Sequence, residues 1–210
     1  MKFRAFAAAL AVALLAALPA SSQDAPATAP ANVYNIEIIL FRATQALGGA
    51  ENWSAQGLRD DFSADGEVSD SQRRVGRFVA SLPSSSFQLT PLENKLRSTG
   101  LYVPVAHVAW SQTASDWGTR AGFQLQRLGI DVPGLTGTVF LERGQYLHLG
   151  MALAYAPSSP PAGMGAGPGT TFNLSQSRRI RFYERNYYDH PAFGVITLVT
   201  PAQGARPAGR

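Results

Sequence analysis

The chain carries three histidines in 210 residues, His107, His148 and His190, and one of them stands in chemically suggestive company. In NYYDHPAFG (186–194) two tyrosines, an acid and an imidazole occupy consecutive positions, Tyr187, Tyr188, Asp189 and His190. An Asp–His pair invites a hydrolase reading, in which the carboxylate orients an imidazole that deprotonates a nucleophile. Pro191, however, forces His190 into an extended conformation, and neighbours on an extended chain point to opposite sides. The sequence offers neither a serine elbow nor any cysteine to complete a relay. A zinc shell from His107, His148, His190 and Asp189 would need their strands to be adjacent, and no H-x-H or H-E-x-x-H spacing is present. No metal or cofactor is therefore expected. Asp189, by its residue type, also suits a turn in which it caps its own backbone. We read the segment as a bracing turn, with Pro191 and Gly194 flanking Phe193 for a sharp re-entry into the last strand, and only secondarily as a ligand contact.

Two further segments carry patterned chemistry. In GQYLHLGMALAY (144–155), alternation places Leu147, Leu149, Met151, Leu153 and Tyr155 on one face, which reads as core. Tyr146, His148, Gly150, Ala152 and Ala154 share the other face, where a ligand could approach closely; a half-buried imidazole bonded to a neighbouring strand is the plainer alternative. QSRRIRFYE (176–184) alternates too, so that Arg179 and Arg181 project from one face, two residues apart, and could hold a carboxylate bidentately. A solvated strand face, paired to acids on a neighbour, explains the same pattern.

These residues must be positioned by strands. VYNIEIILF (33–41) is short, β-branched and apolar, as suits a strand central in a sheet. LYVPVAHVAW, AGFQLQRL, LTGTVFLER, QYLHLGMALAY, FNLSQSRRIRFYE and FGVITLVT follow in turn, separated by Gly, Pro or Asp, with Arg143-Gly144 a hairpin candidate. One helix is well marked in TPLENKLRSTG: Thr90 as cap, Pro91 in the first turn, Glu93 closing a capping box and Gly100 as left-handed stop. A second is possible in SDSQRRVGRFVASL (69–82), weakened by Gly76. The expected architecture is α+β: a mostly antiparallel sheet of about six to seven strands, meandering in its second half, with one to three helices packed on it.

Domain organisation follows from composition. Lys2 and Arg4 precede an apolar run from Ala5 to Leu18, too short to span a bilayer, so residues 1–22 are expected to be a secretory signal cleaved after Ser22. The absence of cysteine argues against lipidation and disulfides alike. Residues 23–32 read as a flexible lead, 33–201 as one domain, 156–171 (APSSPPAGMGAGPGTT) as a mobile Gly/Pro loop, and 202–210 as a disordered tail. The formal charge of +4 falls by two, to +2, once Lys2 and Arg4 are removed, which gives no reason to expect nucleic-acid binding.

VYNIEIILFR, VPVAHVAWSQ, GTVFLERGQYLHL and RRIRFYERNYYDHPAFGVITLV, in this order, resemble the successive signatures of the CsiV family, peptidoglycan-binding periplasmic cell-shape-integrity proteins of Gram-negative bacteria. The last block is the most specific, matching at Arg178, Arg179, Arg181, Tyr187, Asp189, His190, Pro191, Phe193, Gly194 and Val195. The chain departs from the family's signatures at Asn186, Gln145 and Ser111, which stand where the family commonly has histidine, arginine and arginine. The resemblance implies a non-enzymatic periplasmic protein that binds peptidoglycan and supports wall synthesis through a lipoprotein activator of a bifunctional penicillin-binding protein. It assigns no binding residues. Peptide-stem carboxylates suit arginine and sugar faces suit aromatic rings, so Arg179, Arg181, Tyr187, Tyr188, Asp189, His190, His148 and Trp110 are the candidate ligand contacts. The alternative is a wall hydrolase or metal-dependent enzyme using Asp189, His190 and His148; a third reading places the work on a protein-docking surface at the 156–171 loop.

Overall fold

The computed structural model of the chain describes residues 32–46 and 79–202. The expected signal, most of the lead, the acid-rich stretch 47–70, the start of the second helix and the tail beyond Ala202 lie outside the described residues. Among the described residues, ten strands and one α-helix follow in order: β1 (Val33–Ala43), β2 (Val79–Ser81), α1 (Thr90–Thr99), β3 (Tyr102–Thr113), β4 (Ser115–Asp116), β5 (Gly122–Gln124), β6 (Leu135–Arg143), β7 (Leu147–Tyr155), β8 (Phe172–Ile180), β9 (Arg185–His190) and β10 (Phe193–Pro201).

The strands form two sheets rather than the single sheet expected. The first runs β2-β3-β1-β10-β9, with β1 central as its composition requires; the second runs β4-β6-β7-β8, with β5 also paired to β6. Pairing is antiparallel throughout except for the short β4–β6 contact. The expected meander is β6-β7-β8. Several expected boundaries shift. Val79–Ser81, assigned by sequence to a helix, is an edge strand on β3. AGFQLQRL is a strand only through Gln124 and then turns into a 3-10 helix, Leu125–Leu128, closed by left-handed Gly129. FNLSQSRRIRFYE breaks after Ile180, so Arg181 lies in a turn and does not share a strand face with Arg179. NYYDH, read as a turn, is mostly strand β9; the turn itself is only Pro191-Ala192, between His190 and Phe193, which are paired.

The sheets pack face to face. Ile36, Ile38 and Leu40 of β1, Trp110 of β3 and Val195 and Val199 of β10 meet Val139 and Leu141 of β6 and Leu149, Met151 and Leu153 of β7. The leucine face of β7 read from alternation is thus the core face. Tyr188 of β9 crosses the interface, donating its hydroxyl to the Leu149 carbonyl at 2.8 Å. Trp110, wholly buried, satisfies its indole N–H on Gln112. The 156–171 stretch, expected as a mobile loop, is irregular but pinned: Ala162 exchanges backbone hydrogen bonds with Thr44 and Ala46.

Helix α1 covers the other face of the first sheet, where Leu92 and Leu96 pack on Ile39, Phe41 and Leu198. Gly100 ends it in the left-handed conformation, as expected (φ 68°). Its start differs. Leu89, not Thr90, is the cap, and Glu93 does not close a capping box. Tertiary structure supplies what the local motif would have: buried Glu37 of β1 accepts the backbone N–H groups of Gln88 and Leu89, each at 2.8 Å. The same Glu37 meets His107 Nε2 at 2.8 Å, while Glu93 meets His107 Nδ1 at 2.8 Å and Arg97 at 2.6 Å. His107 therefore bridges sheet and helix. Burial pushes the Glu93 carboxyl up, but the hydrogen bonds and charges of Arg97 and His107 prevail and hold it below its usual value.

Two predictions concern the interior. Tyr188→Phe removes the donor for the Leu149 carbonyl and should cost about 1 to 2 kcal/mol in chemical denaturation, with the native spectrum retained. His190 is buried between Phe172 and Phe193, its Nδ1 accepting the Ala192 N–H. Burial lowers its pKa to about 4, against the opposing pull of Asp189. Because the unfolded imidazole binds its proton near 6.5, stability is fully present above that pH and is lost as pH falls toward 4. Between pH 7.5 and 5 the loss should be about 2 kcal/mol, and His190→Phe should remove that share of the pH dependence; an unchanged profile in a folded variant would disprove the assignment.

Candidate functional site

On the second sheet, the face turned away from the core carries a polar row set by strand register. Glu142 of β6 pairs with His148 of β7, which pairs with Arg179 of β8, so acid, imidazole and guanidinium lie side by side across three strands. One step along, Gly150 is small because Phe140 lies across it: a Cβ there would sit 2.0 Å from the Phe140 ring. The close approach expected at Gly150 is thus made by the protein's own phenyl ring.

Two aromatic side chains frame the row. Trp117 follows the two-residue strand β4, stands 59% exposed, and packs its ring against His148 with centroids 4.4 Å apart. Tyr146, in the turn between β6 and β7, lies under the Arg179 guanidinium, 3.3 Å from it. Beside Trp117 opens a cleft of about 610 Å³ lined by Trp117, Gly118, Arg120, Glu142, His148 and Ser177. Such a mixture of one broad aromatic face and several polar groups suits a polar ligand with a flat apolar side.

The polar groups are fixed in place. Glu142 is buried, and its Oε1 accepts the backbone N–H of Arg120, which adopts a left-handed conformation (φ 47°) in the turn after Trp117. His148 Nδ1 is buried without a hydrogen-bond partner in the protein. Arg179 is exposed and, among the described residues, forms no salt bridge. Among the described residues no group of three His, Cys, Asp or Glu side chains is arranged to hold a metal ion.

Of the candidate ligand contacts named from sequence, His148 and Arg179 are brought together here, with Tyr146, which was expected on the His148 face, under Arg179. Trp110, Tyr188 and His190 are buried in the interior, where their size and hydrogen bonds serve packing. Tyr187 and Asp189 lie on the outer face of the first sheet; the Tyr187 hydroxyl donates to Asp189 at 2.8 Å and its ring stacks on Phe41. Arg181 sits in the exposed β8–β9 turn. Asp189 and His190 point to opposite sides, as their adjacency on an extended chain requires, and neither reaches the His148 row. The zinc shell is ruled out by the same separation: His107 is engaged by Glu37 and Glu93 beneath α1, His190 is in the core, and His148 is on the opposite outer face.

Tyr146 was expected on the His148 face, whereas Trp117, Glu142 and Arg120 were not anticipated. A signal for Trp117 does exist: in TASDWGTR it is a lone large ring among turn-forming polar residues, a context that leaves it nothing apolar to pack on. Glu142 gave none, since only register across β6, β7 and β8 places it beside His148 and Arg179.

Among the described residues no helix is long and apolar enough to cross a membrane. Neither a curated protein nor a solved structure matches the chain. One family profile does, that of the peptidoglycan-binding protein CsiV, over residues 7–202, a span that contains both sheets, α1 and the cleft. With all but the two ends of the sequence inside that match, the chain belongs to the CsiV family of peptidoglycan-binding proteins.

Proposed function

We propose that this protein holds peptidoglycan in the cleft on the outer face of the second sheet, as a binding protein that leaves the wall's covalent bonds intact. The observation that carries the reading is Trp117, exposed and braced on His148 at the wall of a polar cleft, with the Tyr146–Arg179 stack at the neighbouring strand position to His148. A pyranose ring has an apolar face that lies on indole, and the stem peptides of peptidoglycan carry carboxylates that pair with guanidinium. Arg179 is prepared for such a partner because Tyr146 already fixes its plane, so little side-chain entropy remains to be lost.

The rival enzymatic reading needs Asp189, His190 and His148 to converge, and their placement in three different environments favours binding over that mechanism. Family membership supports the same conclusion, and with it the expectation of export to the periplasm and of association with a lipoprotein activator of a bifunctional penicillin-binding protein. That partner and a role in cell shape are part of the proposal.

Co-sedimentation with purified insoluble peptidoglycan tests it. The mature protein should pellet with the wall and release no soluble fragments. Trp117→Ala and Arg179→Ala should each weaken pelleting roughly three- to tenfold, the equivalent of about 1 kcal/mol lost contact, without changing the thermal midpoint. Unaltered pelleting of both folded variants would remove the cleft from the binding surface, and muropeptide release abolished by His148→Ala would restore an enzyme.

A further inference from the structure

We infer that the cleft distinguishes uncross-linked from cross-linked wall, taking a peptide stem whose free amine meets Glu142 and whose free terminal carboxylate meets Arg179. The inference rests on the binding reading above and adds the chemical state of the ligand to it.

The argument starts from register. Glu142 and Arg179 are opposite charges at the two ends of one cross-strand row, with His148 between them. Their backbone positions are two strand spacings apart, about 10 Å, a distance comparable with that between a side-chain amine and the carboxylate of the next residue on an extended peptide. A neutral sugar gives such a dipolar row nothing to match, whereas a zwitterionic stem matches it end for end. Glu142 is buried but lines the cleft, so an ammonium reaching it is desolvated on both sides and strongly discriminated from an amide.

Cross-linking chemistry makes this arrangement selective. A peptide cross-link joins the amine of one stem to a carboxyl group of another as a neutral amide. It strips the positive charge from one stem and a negative charge from its partner, so neither stem keeps both. A site that needs both charges on one stem is filled only where a cross-link has not formed. Trp117 is free to engage the adjoining sugar in either case, which separates general wall affinity from stem selectivity.

The test uses soluble ligands and the intact mature protein, with binding followed by calorimetry. The probes are a disaccharide–stem monomer with free amine and carboxylate, the same compound N-acetylated on the stem amine, the same compound amidated at its terminus, a cross-linked dimer, and a stem-free chitin oligosaccharide. The free monomer should bind most tightly, and each blocked charge should weaken binding about tenfold. Arg179→Ala should lose sensitivity to terminal amidation alone, and Glu142→Gln, which keeps an acceptor for the Arg120 N–H, should lose sensitivity to N-acetylation alone. Should Glu142→Gln not fold, the ligand series on the unaltered protein still decides. Equal affinity for free, acetylated and amidated monomers, or for the chitin oligosaccharide, would overturn the inference. If wall pelleting still depends on Trp117 and Arg179 in that event, the binding reading stands and only the stem selectivity falls; if pelleting ignores the cleft, both fall.

Discussion

The contact between the apolar inner faces of two five-stranded sheets is what the rest of this protein depends on. With no cysteine anywhere in the sequence, a domain of this size must be closed by packing. The alternation along β1, β7 and β10 gives each sheet one face of branched aliphatic residues, and Trp110, Phe193 and Tyr188 fill the space between. Two polar groups drawn inside are satisfied there: the Trp110 indole on Gln112 and the Tyr188 hydroxyl on the opposite sheet's Leu149. An unpaired donor in that interior would cost more than a paired one contributes, so the Tyr188 hydrogen bond, which crosses from one sheet to the other, also helps fix how the sheets are aligned.

The outer faces divide the remaining work. That of the first sheet is closed by α1, and there Glu37 acts as hub, accepting two backbone N–H groups at the helix entry while His107 links it to Glu93. A buried carboxylate surrounded by donors is stable where an isolated one would not be. Among the described residues, no α-helix lies over the corresponding face of the second sheet. Its row of Glu142, His148 and Arg179 is left in contact with the cleft, and Trp117 leans over it from a short strand that terminates against β6. One face helps hold the fold together, and the other carries the cleft.

This arrangement also explains why the NYYDHPAFG segment is so conspicuous in the sequence yet peripheral to the cleft. Strand β9 lies at a sheet edge and must do two things at once: send Tyr188 and His190 inward to pack, and keep Tyr187 and Asp189 outward, bonded to one another. Its polar composition reflects that double duty. Chemically rich residues at consecutive positions on a strand are divided between opposite faces, and such a cluster is dispersed by the very conformation that contains it.

Sequence by itself determined the elements whose signals are local. The β-branched run of β1, the leucine face of β7, the helix from Thr90 to Gly100 and the β6–β7 hairpin all follow from side-chain period and turn chemistry, and the motif order pointed to the family. Tertiary structure alone decided what depends on contacts between distant residues. It split the strands into two sheets, replaced the Thr90 cap with the carboxylate of Glu37, made Val79–Ser81 an edge strand, and set Glu142, His148 and Arg179 in one row with Trp117 above them. The reason is that alternation tells which residues share a face of one strand, whereas a site is built from register between strands, and register is fixed only when both apolar faces have found each other.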